Sequence, residues 1–237
     1  MFDFDSFYHN DIRTATGKWS DFPAYNFIGG HNDASMVPVD ALRESADRVM
    51  TEHGRRLATY NLGDGPLGLQ SLREFIGSTL AERADMPTDP DNILLVSGSL
   101  QALDLVNQTL LRSDDIVIME ESTYGGVISR FQHLDVQIIG IRVGDKGMDL
   151  AHLEEQLEVL KMQGKTARYI YTIPTIHNPT GTIMPKENRQ QLLALASHYN
   201  VPIFEDDCYA DLTFDGKRPP ALHALDEDGR VIYCGSF

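Results

Sequence analysis

The chain has 237 residues, 42% hydrophobic and 23% charged, a balance that suits a soluble globular protein able to bury a core of its own. Its 35 Asp and Glu outnumber 20 Lys and Arg, and the basic residues are scattered singly or in pairs such as Arg55-Arg56, which argues against nucleic acid as a partner. No run reaches the roughly 18 to 20 apolar residues of a bilayer-spanning helix, and the start Met1-Phe2-Asp3-Phe4-Asp5 is acidic where a signal peptide is basic, so no membrane partner and a cytoplasmic location are expected.

Residues 1–53 read as an N-terminal arm and small-domain segment, with a helix predicted over Asp40 to His53, and residues 54–237 as one larger domain. In the latter, Leu67 to Ala84 is expected as a helix opened by Pro66 at a first-turn position. Asp85 to Asp91, with Pro87 and Pro90, reads as a loop. From Asn92 onward, β-branched runs alternate with amphipathic stretches. Strands are predicted at Ile93–Val96, Ile116–Met119, Val136–Ile141, Arg168–Ile173, Val201–Glu205 and Val231–Cys234. Helices are predicted at Leu100–Leu111, Tyr124–His133, Leu150–Lys161 and Lys186–Tyr199. Nearly continuous apolar strands separated by helices imply a three-layer α/β/α fold with a mainly parallel sheet. Cys208 and Cys234 each close an apolar run and read as buried, reduced thiols.

In such a sheet, ligands collect at the carboxyl ends of the strands. Ser97-Gly98-Ser99-Leu100-Gln101 lies between a predicted strand and the following helix, where free amides suit a phosphate and where a serine also serves as an ordinary cap. Asp206 stands in the run Glu205-Asp206-Asp207, which reads either as a solvated acidic loop or as one acid buried for a purpose. Asn178 before Pro179, and Tyr209 three residues after Asp206, have bland readings as a turn residue and a half-buried aromatic. Tyr124 reads equally as a ring for stacking on a planar ligand and as a helix-start tyrosine packed on the sheet. Their joint occurrence at successive strand ends favours a site. Gly63-Asp64-Gly65-Pro66-Leu67-Gly68 matches the dinucleotide pattern G-x-G-x-x-G, but no apolar strand precedes it and Pro66 lacks an amide. His31 and His177 stand without a carboxylate partner at metal spacing, and no metal is expected.

With His177-Asn178-Pro179-Thr180-Gly181, Glu205-Asp206-Asp207-Cys208-Tyr209 and the terminal Gly235-Ser236-Phe237 in place, the chain from about Tyr25 onward resembles the class I/II, fold-type I aminotransferases. The resemblance is to the branch of 2-aminoadipate and kynurenine aminotransferases and the effector domains of MocR-type regulators. It implies pyridoxal 5′-phosphate as cofactor, an amino acid and a 2-oxo acid as substrates, and a homodimer in the full-length protein. By the same resemblance Ser99, Leu100 and Ser236 contact the cofactor phosphate and Tyr124 stacks on the ring. Asn178 and Tyr209 reach its phenolic oxygen, and Asp206 pairs with its pyridine nitrogen, so that Asp206 and Tyr209 take catalytic roles. Tyr60 reaches the phosphate of the other subunit, while Gly30 and Asn178 lie near the substrate. Leu100 and Ser122 stand where glutamine and proline are common, and Cys208 replaces a frequent proline. The sequence stops just short of the place of the family's Schiff-base lysine and small domain, so residues 1–237 are expected to be the N-terminal portion of an enzyme, inactive by themselves. A carbon–sulfur lyase shares this pocket, and a non-catalytic effector domain or pseudoenzyme is the alternative of another class. Residues 1–24 are too short and too acidic for the winged helix of a regulator.

Overall fold

Five apolar runs pair into one parallel sheet in the computed structural model, which describes residues 24–25, 29–60 and 63–236. The strands are β1 (Ile116–Glu120), β2 (Gln137–Ile141), the two-residue pair β3 (Val143–Gly144) and β4 (Gly147–Met148), β5 (Tyr169–Thr172), β6 (Ile203–Asp206) and β7 (Val231–Cys234). The sheet order is β2-β1-β5-β6-β7, and every neighbour is parallel; β3 and β4 form a separate antiparallel hairpin. The connection order reverses between β1 and β5, the place where an open α/β sheet parts its loops and leaves a crevice. The acidic stretch 1–23, Asn26-Phe27-Ile28, Asn61-Leu62 and Phe237 lie outside the described residues.

The helices are α1 (Val39–His53), α2 (Gln70–Ala84), α3 (Ser99–Leu110), α4 (Gly125–His133), α5 (Leu150–Met162), α6 (Lys186–His198) and α7 (Leu222–Leu225). Successive strand residues point to opposite faces, and the core divides accordingly. On one face Ile116, Ile118, Ile170, Ile203 and Val231 meet Leu153, Leu157 and Leu160 of α5, Leu192 and Ala196 of α6, and Leu222 of α7. On the other face Val117, Met119, Tyr169, Tyr171 and Phe204 meet Leu103 of α3 and Val127 and Phe131 of α4. Each fully buried aliphatic or aromatic side chain contributes about 1.5–3 kcal/mol. The architecture is the expected three-layer α/β/α sandwich. No helix among the described residues is long and apolar enough to cross a membrane.

Three local expectations are corrected. Ile93–Val96 is extended but is not a strand; its backbone is met by Leu67, whose carbonyl accepts from the Leu95 amide at 2.9 Å, and neither edge of the sheet takes it up. That contact holds Leu67 outside α2, which therefore starts at Gln70 with Leu69 as its cap, and Pro66 is not in its first turn. The β3–β4 hairpin was not foreseen because two-residue runs carry no readable period. The chain divides into two compact units, Met1–Thr59 and Tyr60–Phe237. In the first, α1 carries Asp40 in its first turn and His53 in its last, matching the helix dipole, and exposes Val39, Leu42, Val49 and Met50.

Candidate active site

Period-2 alternation puts Asp206, the last residue of β6, on the same face as Phe204, under α3 and α4. There it is buried, and the Tyr171 phenol donates to its Oδ2 at 2.7 Å. Its Oδ1 is buried without a partner. Burial holds the carboxyl above the usual aspartate range, against hydrogen bonds from Tyr171 and Cys208, and Asp207 next to it pushes the same way. A buried carboxylate oxygen left unmet is costly unless a cationic donor faces it. Its chemistry suits a protonated ring nitrogen.

The loop after β5 is closed on itself. The His177 amide donates to the Thr182 carbonyl at 2.8 Å, the Gly181 amide donates to the His177 carbonyl at 2.6 Å, and His177 Nδ1 lies 2.9 Å from Thr180 Oγ1. This closure presents the half-buried Asn178, whose side chain hydrogen-bonds Tyr209. Burial, then Cys208, holds the Tyr209 phenol above its ordinary value, and Asn178 opposes the rise. Cys208 joins the two parts, since it touches both Asp206 and Tyr209; burial and then the Asp206 charge push its thiol up to about 12. Asp206, Asn178 and Tyr209 are thus brought together at adjacent strand ends.

Ser99 and Leu100 open α3, and their amides are among the first four of the helix, which have no intrahelical acceptor. The cap is Gly98, at φ 96°, a left-handed conformation that glycine accepts without strain, and no side chain caps the helix. These amides with the helix dipole form an anion-binding terminus. Leu100 and Tyr209 both pack against the same core cluster as Phe204. Tyr124 precedes α4 and is partly exposed, its ring lying over Gly126 so closely that a Cβ there would come within 2.7 Å of it. Ser236 is exposed just past β7, and the Tyr60 ring is 90% exposed. Gly30, at φ 62°, belongs to the first unit.

One site residue had no signal in the sequence. Glu120, the last residue of β1, is fully buried, accepts from Thr172 Oγ1 at 2.5 Å, and places Oε2 3.9 Å from His177 Nε2. His177 therefore has a carboxylate neighbour, supplied by a distant strand rather than by local spacing. Burial, with Asp206 adding repulsion, pushes the Glu120 carboxyl up to about 7, and burial lowers His177. The folded form thus binds the Glu120 proton more tightly than the unfolded chain. Its contribution to stability is full below the unfolded value of 4.5 and is lost as pH rises through about 7. Glu120→Gln keeps the neutral shape at every pH. The melting temperature of the variant relative to the parent is therefore expected to rise between pH 5 and pH 8, by about 2–4 °C for each kcal/mol involved; a difference that stays flat across that range would overturn the assignment. No group of three or more His, Cys, Asp or Glu among the described residues could hold a metal ion.

Residues 30–237 match the model of the family "Aminotransferase class I and II". The aromatic-amino-acid aminotransferase 1 of Thermococcus litoralis is 35% identical over 212 residues, 90% of this chain and 50% of the relative. The 2-aminoadipate transaminase of Thermus thermophilus is 33% identical over 90% of this chain and 51% of its own length. An uncharacterized HTH-type transcriptional regulator of Bacillus subtilis, YisV, is 35% identical over 88% of this chain and 41% of its own length. Among solved structures, the Pyrococcus horikoshii kynurenine aminotransferase in complex with PMP superposes with a TM-score of 0.78 at 37% identity, covering 84% of this chain and 48% of that one. The chain spans about half the length of the aminotransferases it matches, and its sheet and layers are those of fold-type I. The family's cofactor is pyridoxal phosphate, and the unmet Asp206 oxygen and the uncapped α3 terminus fit such a group. On the matched residues and the shared fold, the chain belongs to the class I and II aminotransferase family.

Proposed function

We propose that this chain is the cofactor-binding portion of an enzyme that moves an amino group from an α-amino acid to a 2-oxo acid. Residues 54–237 would form the large domain, and residues 1–53 an arm and small-domain segment of a cytoplasmic homodimer. The observation that carries the reading is Asp206 Oδ1, a buried carboxylate oxygen without a partner beside a tyrosine that orients its twin. When bound, pyridoxal 5′-phosphate supplies an electron-withdrawing ring that accepts the charge left on the amino acid's α-carbon. Asp206 keeps the proton on the ring nitrogen, and Tyr171 holds the carboxylate in line. Asn178 and Tyr209 donate to the phenolic oxygen. The Ser99 and Leu100 amides and the Ser236 hydroxyl hold the phosphate, Tyr124 covers the ring, and the exposed Tyr60 reaches the phosphate of a second copy. Asn178 also lies beside the substrate.

The test uses the full natural chain, titrated with pyridoxal 5′-phosphate by absorbance and then given an amino acid followed by a 2-oxo acid. Saturable binding of one cofactor per chain, with spectral changes that the two substrates drive in opposite directions, is expected. No saturable binding overturns the cofactor reading. Similarity to the Bacillus regulator favours a second reading, an effector module that binds cofactor and amino acid without turnover; binding without formation of a new amino acid would decide for it. Gly126→Ala pushes the Tyr124 ring off its seat, and cofactor affinity is expected to fall roughly three- to tenfold, as for one aromatic contact of about 0.5–1.5 kcal/mol. An unchanged dissociation constant would remove Tyr124 from the site.

A further inference from the structure

Arg189 is among the largest fully buried side chains of the protein, at 0% exposure in the first turns of α6, and the chemistry proposed above makes no use of it. Its Nε donates to the Met184 carbonyl at 2.9 Å, and its Nη2 donates to the Pro174 carbonyl and to Thr175 Oγ1, each at 2.9 Å. Its Nη1 donates to the Pro220 carbonyl at 3.2 Å and lies 3.8 Å from Glu205 Oε1. Pro174 and Thr175 enter the loop that carries Asn178, and Met184 leaves it. The Met184 amide donates to the Pro174 carbonyl at 2.8 Å, so the guanidinium sits across the closed neck of that loop. Glu205 directly precedes Asp206 and accepts from the Leu222 and His223 amides at 2.7 and 2.9 Å.

We propose that Arg189 is a positioning residue for the cofactor site: from the face of the sheet opposite Asp206, it fixes the loop bearing Asn178 against the strand bearing Asp206. The inference rests on the cofactor reading above. The guanidinium is suited to the task because its donors lie in a rigid planar fork and meet several acceptors at once, while a lysine ammonium is a single centre on a flexible stem. Its charge also separates the roles of three consecutive acids. Glu205 faces Arg189, Asp207 pairs with Arg218 at 3.2 Å through Oδ2 although its Oδ1 has no partner, and Asp206 keeps its unmet Oδ1 on the face of Phe204, where the cofactor would lie.

The test compares Arg189→Lys with Leu192→Ala in the full natural chain. Leu192 is also fully buried on α6, but its contacts are to the apolar core. Both variants lower the melting temperature, and only a positioning role separates the two in the cofactor's dissociation constant and in the visible absorption band of the bound cofactor. Arg189→Lys is expected to weaken cofactor binding at least about tenfold and to shift that band, as loss of hydrogen bonds to a charged donor predicts. Leu192→Ala, with an equal or larger fall in melting temperature, is expected to stay within about twofold of the parent in affinity, because its cost falls on core packing. Arg189→Lys binding like the parent, or both variants losing affinity in step with melting temperature, overturns the proposal. If Arg189→Lys does not fold, Thr175→Val decides, since it takes one acceptor from the guanidinium while Asp207, which also loses its hydrogen bond from Thr175, keeps Arg218 and Tyr233: a weaker affinity and a shifted band support the proposal, and parental values overturn it. Failure of the unsubstituted chain to bind cofactor counts against the proposed function instead.

Discussion

Asp206→Asn is expected to slow amino transfer by on the order of 100- to 1,000-fold, the cost typical of removing one preorganised electrostatic partner from an active site. Asparagine keeps the shape, and its carbonyl oxygen can still accept from Tyr171, which donates to Oδ2 at 2.7 Å in the parent. What it removes is the negative charge that would hold a proton on the ring nitrogen. Cofactor affinity is expected to fall less than the rate, because the phosphate contacts at the α3 terminus are untouched. Burial holds the Asp206 carboxyl above the ordinary aspartate range, so it takes up a proton earlier as pH falls. Affinity for the cofactor should therefore weaken toward acid pH in the parent, and Asp206→Asn should flatten that dependence. Rapid-mixing measurement of the amino acid half-reaction, with cofactor titrations across pH, checks both. A variant within about threefold of the parental rate would remove Asp206 from the role, since a preorganised charge is worth far more than that. Asp207→Asn is the contrast: Asp207 is already matched by Arg218 and by the Tyr233 phenol, each 3.2 Å away, so its loss should appear in stability rather than in rate.

The contrast between these two neighbours marks how far the sequence could be read. That one acid in Glu205-Asp206-Asp207 turns to the α3 and α4 face was legible because the run ends an apolar strand, whose alternation decides which acid it is. The meeting of Asn178 with Tyr209 was legible from the same placement, as polar residues at strand ends. Glu120 was not: its partner Thr172 lies 52 residues away, and no local pattern announces a contact between two strands that become neighbours only in the sheet. Arg189 read as one more polar position on an amphipathic helix, since its acceptors are mostly backbone carbonyls, which carry no sequence signature. Ile93–Val96 failed in the other direction. Its composition is that of a strand, but strand identity is a property of a pair, and the backbone that meets it is the turn at Leu67.

Phe204→Ala carries the largest expected loss of stability and links the core to the site. Phe204 is buried to 1% exposure, stacks on the Tyr171 ring at a centroid distance of 5.7 Å and an interplanar angle of 19°, and leans on Tyr169 at 6.4 Å. Truncation to alanine should cost about 3–5 kcal/mol, and each kcal/mol lowers the melting temperature of a chain this size by about 2–4 °C. Stability is only part of the expected effect, because Tyr171 is the donor that orients Asp206. With the stacking ring gone, that phenol gains rotational freedom, and cofactor affinity should drop even at temperatures where the variant is fully folded. Leu153→Ala, on the α5 face, removes a side chain of 0% exposure on the far side of the sheet. It should destabilise by about 2–5 kcal/mol and leave affinity unchanged. Thermal melts paired with cofactor titrations at 20 °C below each variant's midpoint separate the two consequences. Equal affinity in both variants would mean that Asp206 is held without help from the aromatic stack. Lower affinity in Phe204→Ala alone, recovered in part by Phe204→Leu, would mean that the packing of Phe204 against Tyr171 sets the direction of the carboxylate on which the proposed chemistry depends.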